Sequence, residues 1–237
     1  MLAKVTTSWD DGHSGDPRLA ELLCSKGLVG TFYWTVNHEE FTYPGPVVTR
    51  DLLDMGMEIG SHTMTHPDLT KLDDAKLKRE LEESKSFLED YVQRPVRTFC
   101  YPFGHFNRRV REAVIAAGYE LARTTESFRT STGSDPYLMP VTMQVYPHGI
   151  RTHLAHSVSR GNLRGLTNWL MRHRGTTDLD SIVSQSFDHV RAHGGVLHIW
   201  GHSWELERFE LWNVLERLLE TLANHDDIEY VTNDALI

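Results

Sequence analysis

A single-domain irregular (β/α) barrel of about seven parallel strands with helices outside is the fold this 237-residue sequence predicts. Two observations predict it. Short apolar, β-rich runs alternate with helical patterns along the chain, as a parallel sheet with crossover helices requires. Residues able to do chemistry cluster where those runs stop, as they do at the C-terminal face of such barrels. The length suits one α/β barrel, so we expect one domain over residues 1–237. Seven or eight strands favour a barrel over an open doubly wound sheet, which is the alternative.

The elements follow in order. "AKVTTSW" reads as the first strand and precedes the helical "RLAELLCSKG"; "GTFYWTV" precedes "TRDLLDMG". "MEIGS" precedes the long "DDAKLKRELEESKSFLEDYV", where Leu77, Leu81, Ser84, Leu88 and Tyr91 form one stripe below a charged outer face. "RTFCY" precedes "NRRVREAVIAAG", whose Gly118 is a helix stop. A short "ELART" follows. Residues 126–160 are the least regular part, with Pro136, Pro140 and Pro147. Helical patterns return near 162–172 and 179–193. The chain closes with the strand "GGVLHIW", one helix over "ERFELWNVLERLLETLAN" and a last strand "IEYVT".

The formal charge of −9 makes nucleic acid and anionic membranes poor partners. Two cysteines, Cys24 and Cys100, build no disulfide framework. "MLAKVTTSW" lacks the apolar stretch of a signal peptide, and no run approaches a membrane span, so a cytoplasmic location is the expectation. Fourteen histidines are the unusual count and point toward metal.

Three clusters sit where strands hand over to loops: "DDG" at 10–12, "SHTMTH" at 61–66 and "GHSWE" at 201–205. "YPFGH" at 101–105 joins them. Successive side chains in a strand point to opposite faces, so Asp10 and Asp11 share a site only if the chain bends there, as Gly12 permits. Two close carboxylates repel unless a cation accompanies them. His62 and His66, four apart, can lie on one side of a helical turn or tight loop. Two histidines and one carboxylate form an open catalytic metal site, and a second, unligated acid beside it can take a proton from water.

These motifs resemble the polysaccharide deacetylases of the NodB-homology type, carbohydrate esterase family 4. "SWDDG" is similar to the family's TFDDG, which implies Asp10 as catalytic base and Asp11 as metal ligand. "HTMTH" matches H-(S/T)-x-x-H and implies His62 and His66 as the other ligands. The third motif, R-P-P-Y-G, corresponds to "CYPFG", with Cys100 where the base-orienting arginine stands; Tyr101, Pro102 and Phe103 become a wall of the sugar groove. We expect Arg123, ending the next strand, to replace that arginine. The fourth motif is not recognisable in "ARTTESFRTSTG". The fifth supplies the general acid, with His198 and His202 as candidates; His202 is chosen because it emerges beyond the strand, with Glu205 placed to orient it and Trp204 placed to contact sugar.

The resemblance implies hydrolysis of an N-acetyl or O-acetyl group on a sugar or polysaccharide, with the Tyr101 N–H helping to hold the oxyanion. It also implies one divalent ion, zinc first, with cobalt, nickel or manganese as alternatives. Two other readings stay open: an amidohydrolase acting on a small non-sugar amide, and a catalytically silent carbohydrate binder. The oligomeric state is not readable.

Overall fold

The computed structural model describes residues 3–38, 45–159 and 161–237. Among the described residues, eight parallel strands are joined by helices: β1 (Ala3–Asp11), α1 (Asp16–Ser25), β2 (Thr31–Trp34), α2 (Pro46–Asp54), β3 (Glu58–Ser61), α3 (Asp74–Val92), β4 (Thr98–Cys100), α4 (Arg108–Ala116) and β5 (Leu121–Arg123). There follow β6 (Met143–Gln144), α5 (Ile150–Ser159), α6 (Leu163–Met171), α7 (Leu179–His193), β7 (Gly195–Gly201), α8 (Ser203–Arg208), α9 (Trp212–Leu222) and β8 (Ile228–Tyr230).

Seven strands run in the order β5-β4-β3-β2-β1-β7-β6, and β8 pairs with β1. β1 is the hub. Its first residues, Ala3–Val5, pair with β8; its last, Ser8–Asp11, pair with β2; β7 runs along its other edge. The gap between β5 and β6 is bridged by the stretch 139–145. Met139 N–H donates to Ala122 O at 2.9 Å, and Thr142 N–H donates to His198 O at 2.8 Å. The expected irregular barrel is the observed fold.

Period-two alternation gives the strands two different faces. On β1, Val5 and Trp9 face outward into the helix layer, where α1 contributes Leu19 and Leu23 to the same buried cluster. A fully buried aliphatic or aromatic side chain of this kind contributes roughly 1.5–3 kcal/mol. The inward face is polar and paired. Thr6 Oγ1 donates to Asn233 Oδ1 at 2.8 Å, Asn233 Nδ2 donates to Tyr33 Oη at 2.9 Å, and Ser8 Oγ pairs with His198 Nε2 at 2.8 Å. Buried polar groups must find such partners or cost about 1–3 kcal/mol each. Gly60 is required here, since a Cβ would lie 2.5 Å from the Tyr33 ring and 2.6 Å from Thr98 Oγ1.

Three sequence readings need correction. The stripe of α3 ends on buried Val92, not on Tyr91, which is exposed; Val92 continues the four-residue step from Leu88. The helix expected over residues 207–224 is two. Glu210 turns left-handed (φ 55°) and Leu211 N–H donates to Leu206 O at 2.9 Å, a C-capping bond that ends α8 before α9 begins. The irregular stretch 126–160 contains helix α5, whose large apolar residues face solvent and so gave no core-facing period.

Candidate active site

The C-terminal ends of β1, β3, β4, β5 and β7 deliver the candidate residues to one face of the barrel. β1 ends in an abrupt bend. Asp11 itself adopts φ 81° and Gly12 φ 80°, so the turn starts one residue before the glycine. Left-handed backbone is uncommon for non-glycine residues and best tolerated by Asn and Asp. It swings the Asp11 carboxylate to the side where Asp10 already points.

After β3, a tight loop and not a helix turn brings His62 and His66 together. Thr63 (φ 73°) and His66 (φ 57°) are both left-handed, and His66 N–H donates to Thr63 Oγ1 at 2.9 Å. Glu80 of α3 clamps the loop, accepting from Met64 N–H and Thr65 N–H, each at 2.9 Å. A β-branched residue held left-handed costs of order 1–3 kcal/mol and persists only where the surroundings over-determine it.

Asp11 Oδ1 lies 3.6 Å from His62 Nε2 and 3.5 Å from His66 Nε2, and the two imidazole nitrogens are 3.1 Å apart. A point about 2.0 Å from all three atoms exists inside that triangle, which is the length of zinc bonds to imidazole nitrogen and carboxylate oxygen. His62 Nδ1–H donates to Cys100 O at 2.8 Å, leaving Nε2 with a bare lone pair toward the triangle. Burial, opposed by the two aspartates, holds His62 below its ordinary pKa. Burial and the adjacent His62 push His66 down as well. Two neutral imidazoles and a carboxylate facing a common point suit a divalent cation. The indole N–H of Trp204 donates to Asp11 Oδ2 at 2.8 Å, fixing the carboxylate from behind.

Asp10 is held separately. Arg123 Nη2 donates to both of its oxygens, and both side chains are buried. The guanidinium also lies 4.6 Å from the Trp200 ring centroid. Burial alone would raise the Asp10 pKa, but Arg123, with His62 and His202, outweighs it and holds the carboxyl below its usual range. The Cys100 thiol, pushed well up by burial and therefore neutral, donates to Asp10 Oδ2 at 3.6 Å.

His202 stands just beyond β7, with Nε2 3.7 Å from Asp11 Oδ2. Its Nδ1–H donates to Glu205 Oε2 at 2.7 Å. Burial would lower its pKa, but the Glu205 bond and the Asp11 charge prevail and push it up to about 9. Glu205 is itself held by Gln144 Nε2 at 2.9 Å, and Gln144 Oε1 accepts from His148 Nε2 at 2.9 Å. His198 lies inside the barrel, its pKa pushed down to about 3 by burial and Arg123. Below the site, fully buried Asp16 accepts from Ser203 Oγ (2.6 Å) and Trp34 Nε1 (2.7 Å).

Asp10, Asp11, His62, His66, His202 and Trp204 line a cleft of about 890 Å³. Phe103 forms an exposed wall, its ring 4.6 Å from His66. Tyr101 lines the cleft but has little to offer a ligand. Its hydroxyl donates to Tyr137 O at 3.0 Å, and its N–H donates to Arg123 O at 3.3 Å as part of the β4–β5 pairing, so the expected oxyanion N–H is already spent. Pro102 is buried within its turn and is not on the cleft wall, since its ring starts the turn and packs inward. Trp204 binds Asp11 by its indole edge, a contact that sequence reasoning did not foresee. Gln144, His148 and Asp16 were also missed; only the high histidine count hinted at any of them.

A family model described as polysaccharide deacetylase matches residues 3–122. The peptidoglycan-N-acetylglucosamine deacetylase of Bacillus cereus is 29% identical over 118 residues, covering 49% of this chain and 54% of that protein. Chitin deacetylase 1 of Cryptococcus neoformans var. grubii is 30% identical over 133 residues, covering 52% of this chain and 28% of that protein. The chain thus spans about half, or less, of the length of these curated relatives. Among solved structures, the family 4 carbohydrate esterase from Streptomyces lividans aligns over 93% of this chain and 88% of that one, with TM-score 0.58 and 18% identity. The Xyl-CE4 domain of a multidomain xylanase from the hindgut metagenome of Trinervitermes trinervoides aligns over 99% and 89%, with TM-score 0.59 and 17% identity. At such identities the structural likeness speaks for the fold.

Proposed function

Since the chain belongs to the polysaccharide deacetylase family, we propose that it is a metal-dependent hydrolase removing the acetyl group from an N-acetylated sugar. One observation carries the reading: an unligated carboxylate, Asp10, sits beside a His₂Asp donor set and is kept ionised by its own buried arginine. A pure binder has no use for a proton acceptor there.

Asp11, His62 and His66 would hold the cation, which when bound would polarise the acetyl carbonyl and acidify water. Zinc is our first choice, and cobalt, nickel and manganese remain chemically compatible with this donor set. Asp10 takes the proton of the attacking water, its charge maintained by Arg123. His202, protonated at neutral pH and oriented by Glu205, donates its Nε2 proton to the departing nitrogen. The C–N bond of the amide breaks as a C–O bond to water forms, giving acetate and a free amine. Asp10 then gives up the proton it took from water and His202 regains the one it donated, so each turnover consumes one water. Phe103 offers a ring face to the sugar, while Trp204 acts on Asp11 as an orienting donor.

The test joins metal analysis with product detection. Wild-type protein should carry about one divalent ion per chain and release acetate from N-acetylglucosamine oligomers. Asp10→Asn should keep the ion and lose turnover, whereas His62→Ala should lose both. Metal-loaded protein that releases no acetate from any N-acetylated sugar, yet opens or cleaves small amides, would move the substrate outside carbohydrates.

A further inference from the structure

Six of the twelve large apolar side chains exposed among the described residues lie within positions 150–171. Ile150, Leu154 and Val158 stand four residues apart on α5, one solvent-facing stripe. On α6, Leu163 and Leu170 stand seven apart, with Met171 beside them. The α5–α6 hairpin is firmly seated. Trp169 is buried beneath it, and Asn162 Nδ2 and Asn168 Nδ2 donate to Ser127 O (2.8 Å) and Phe128 O (2.9 Å). The outward stripes are therefore a feature of a fixed element. Exposed apolar area of this concentration marks an interaction surface.

Charge identifies the partner. Residues 136–177 hold five arginines and not one Asp or Glu, whereas the other 19 Lys and Arg share the rest of the chain with all 33 acids. Arg151 and Arg164 are exposed beside the two stripes, and Arg174 is exposed just past α6. A second copy docked through the same face would bring arginine against arginine. An acidic peptide would answer the arginines and leave the stripes wet. An anionic bilayer answers both, with headgroups for the arginines and the acyl boundary for the stripes. No helix of the described residues is long and apolar enough to cross a membrane.

We propose that the α5–α6 hairpin lies on an anionic lipid surface. The net charge of −9 averages over this local inversion. On its other side α5 lines the cleft with His153, His156 and Ser157, so docking sets the cleft beside the headgroups.

The experiment is flotation of the full chain with vesicles of phosphatidylcholine and phosphatidylglycerol, against vesicles of phosphatidylcholine alone, at about 0.15 M salt. The protein should float with the anionic vesicles only. Arg151→Glu with Arg164→Glu should lower partitioning roughly thirtyfold or more. Val158→Ser, Leu163→Ser and Met171→Ser together should lower it by about tenfold or more. Both variants alter exposed positions, and unchanged melting temperatures would show intact folds; if the serine variant melts early, the arginine pair decides. Failure to float with anionic vesicles overturns the proposal, as does flotation unaffected by the arginine pair. A dimer in sedimentation velocity that the serine variant dissolves, without vesicle binding, assigns the face to a second copy. Flotation is read without turnover, so it stands or falls apart from the deacetylase reading.

Discussion

Arg123 places one guanidinium nitrogen against both carboxylate oxygens of Asp10, joining residues 113 positions apart in the buried floor of the cleft. The pair sets the charge of the group proposed as base. We expect Arg123→Met to cost about 3–5 kcal/mol of stability, because it leaves a buried carboxylate unpaired. Its kcat should fall by about a hundredfold or more. Without the guanidinium, burial raises the Asp10 pKa, so the acid limb of the pH–rate profile moves to higher pH. Denaturant titration and pH–rate curves check this, and an unmoved acid limb with normal kcat would sink the assignment.

His202 and His198 should separate cleanly. His202→Asn removes a protonated donor at the cleft and should lower kcat by about 10²–10⁴-fold with little change in melting. His198→Asn disturbs a buried pairing with Ser8 and should cost about 1–3 kcal/mol of stability instead. Loss of turnover in the His198 variant with an unshifted melting curve would exchange the two roles.

Trp204→Phe removes the indole donor behind Asp11 while keeping most of the ring. Such outer partners are worth about 10–100-fold in metal affinity. Chelator competition on the variant should show a weakening of that size, with an unchanged circular dichroism spectrum. Equal affinity would mean that the Asp11 orientation does not depend on the indole.

Asp16 gives the metal-free protein a pH-dependent stability of unusual sign. Burial lifts its pKa to about 7 from 3.8, against the pull of Ser203 and Trp34. The folded state therefore holds a proton that the unfolded chain releases earlier. The stabilisation is complete below about pH 4 and is lost as pH rises through about 7, a change of about 4 kcal/mol. Melting temperatures of wild type and Asp16→Asn, compared across that window, should diverge as pH rises, with the wild type falling. Parallel curves would place the Asp16 proton elsewhere.

Much of the site was readable because its chemistry lies at strand ends. Asp10, Asp11, His62 and His66 needed only the alternation of strand and helix and their spacing. Arg123 was readable only once the family resemblance implied a base-orienting arginine absent at Cys100, because Arg123 ends the adjacent strand. The Trp204 bond to Asp11 was not, since it depends on the angle at which α8 leaves β7. Gln144 lies on a strand of two residues, too short to show a period. Helix α5 escaped notice because its large apolar residues point outward, the reverse of the pattern that reveals a core helix. Tyr91 and Val92 were confused because adjacent positions lie only about 100° apart on a helix.

The Thr6–Asn233 hydrogen bond ties positions 227 residues apart, at the strand that carries both aspartates. The central strand of the sheet thus lies far in sequence from two of its three neighbours, β7 and β8. During translation β2 can pair early with one edge, but the edge that β7 covers stays open until that distant segment has emerged, so acquisition of the native state is of high contact order. A fragment ending near residue 122 would contain the segment matched by the family model and still lack those two partners, His202 and Trp204. Nascent chains of this protein are correspondingly exposed to edge-to-edge aggregation before release.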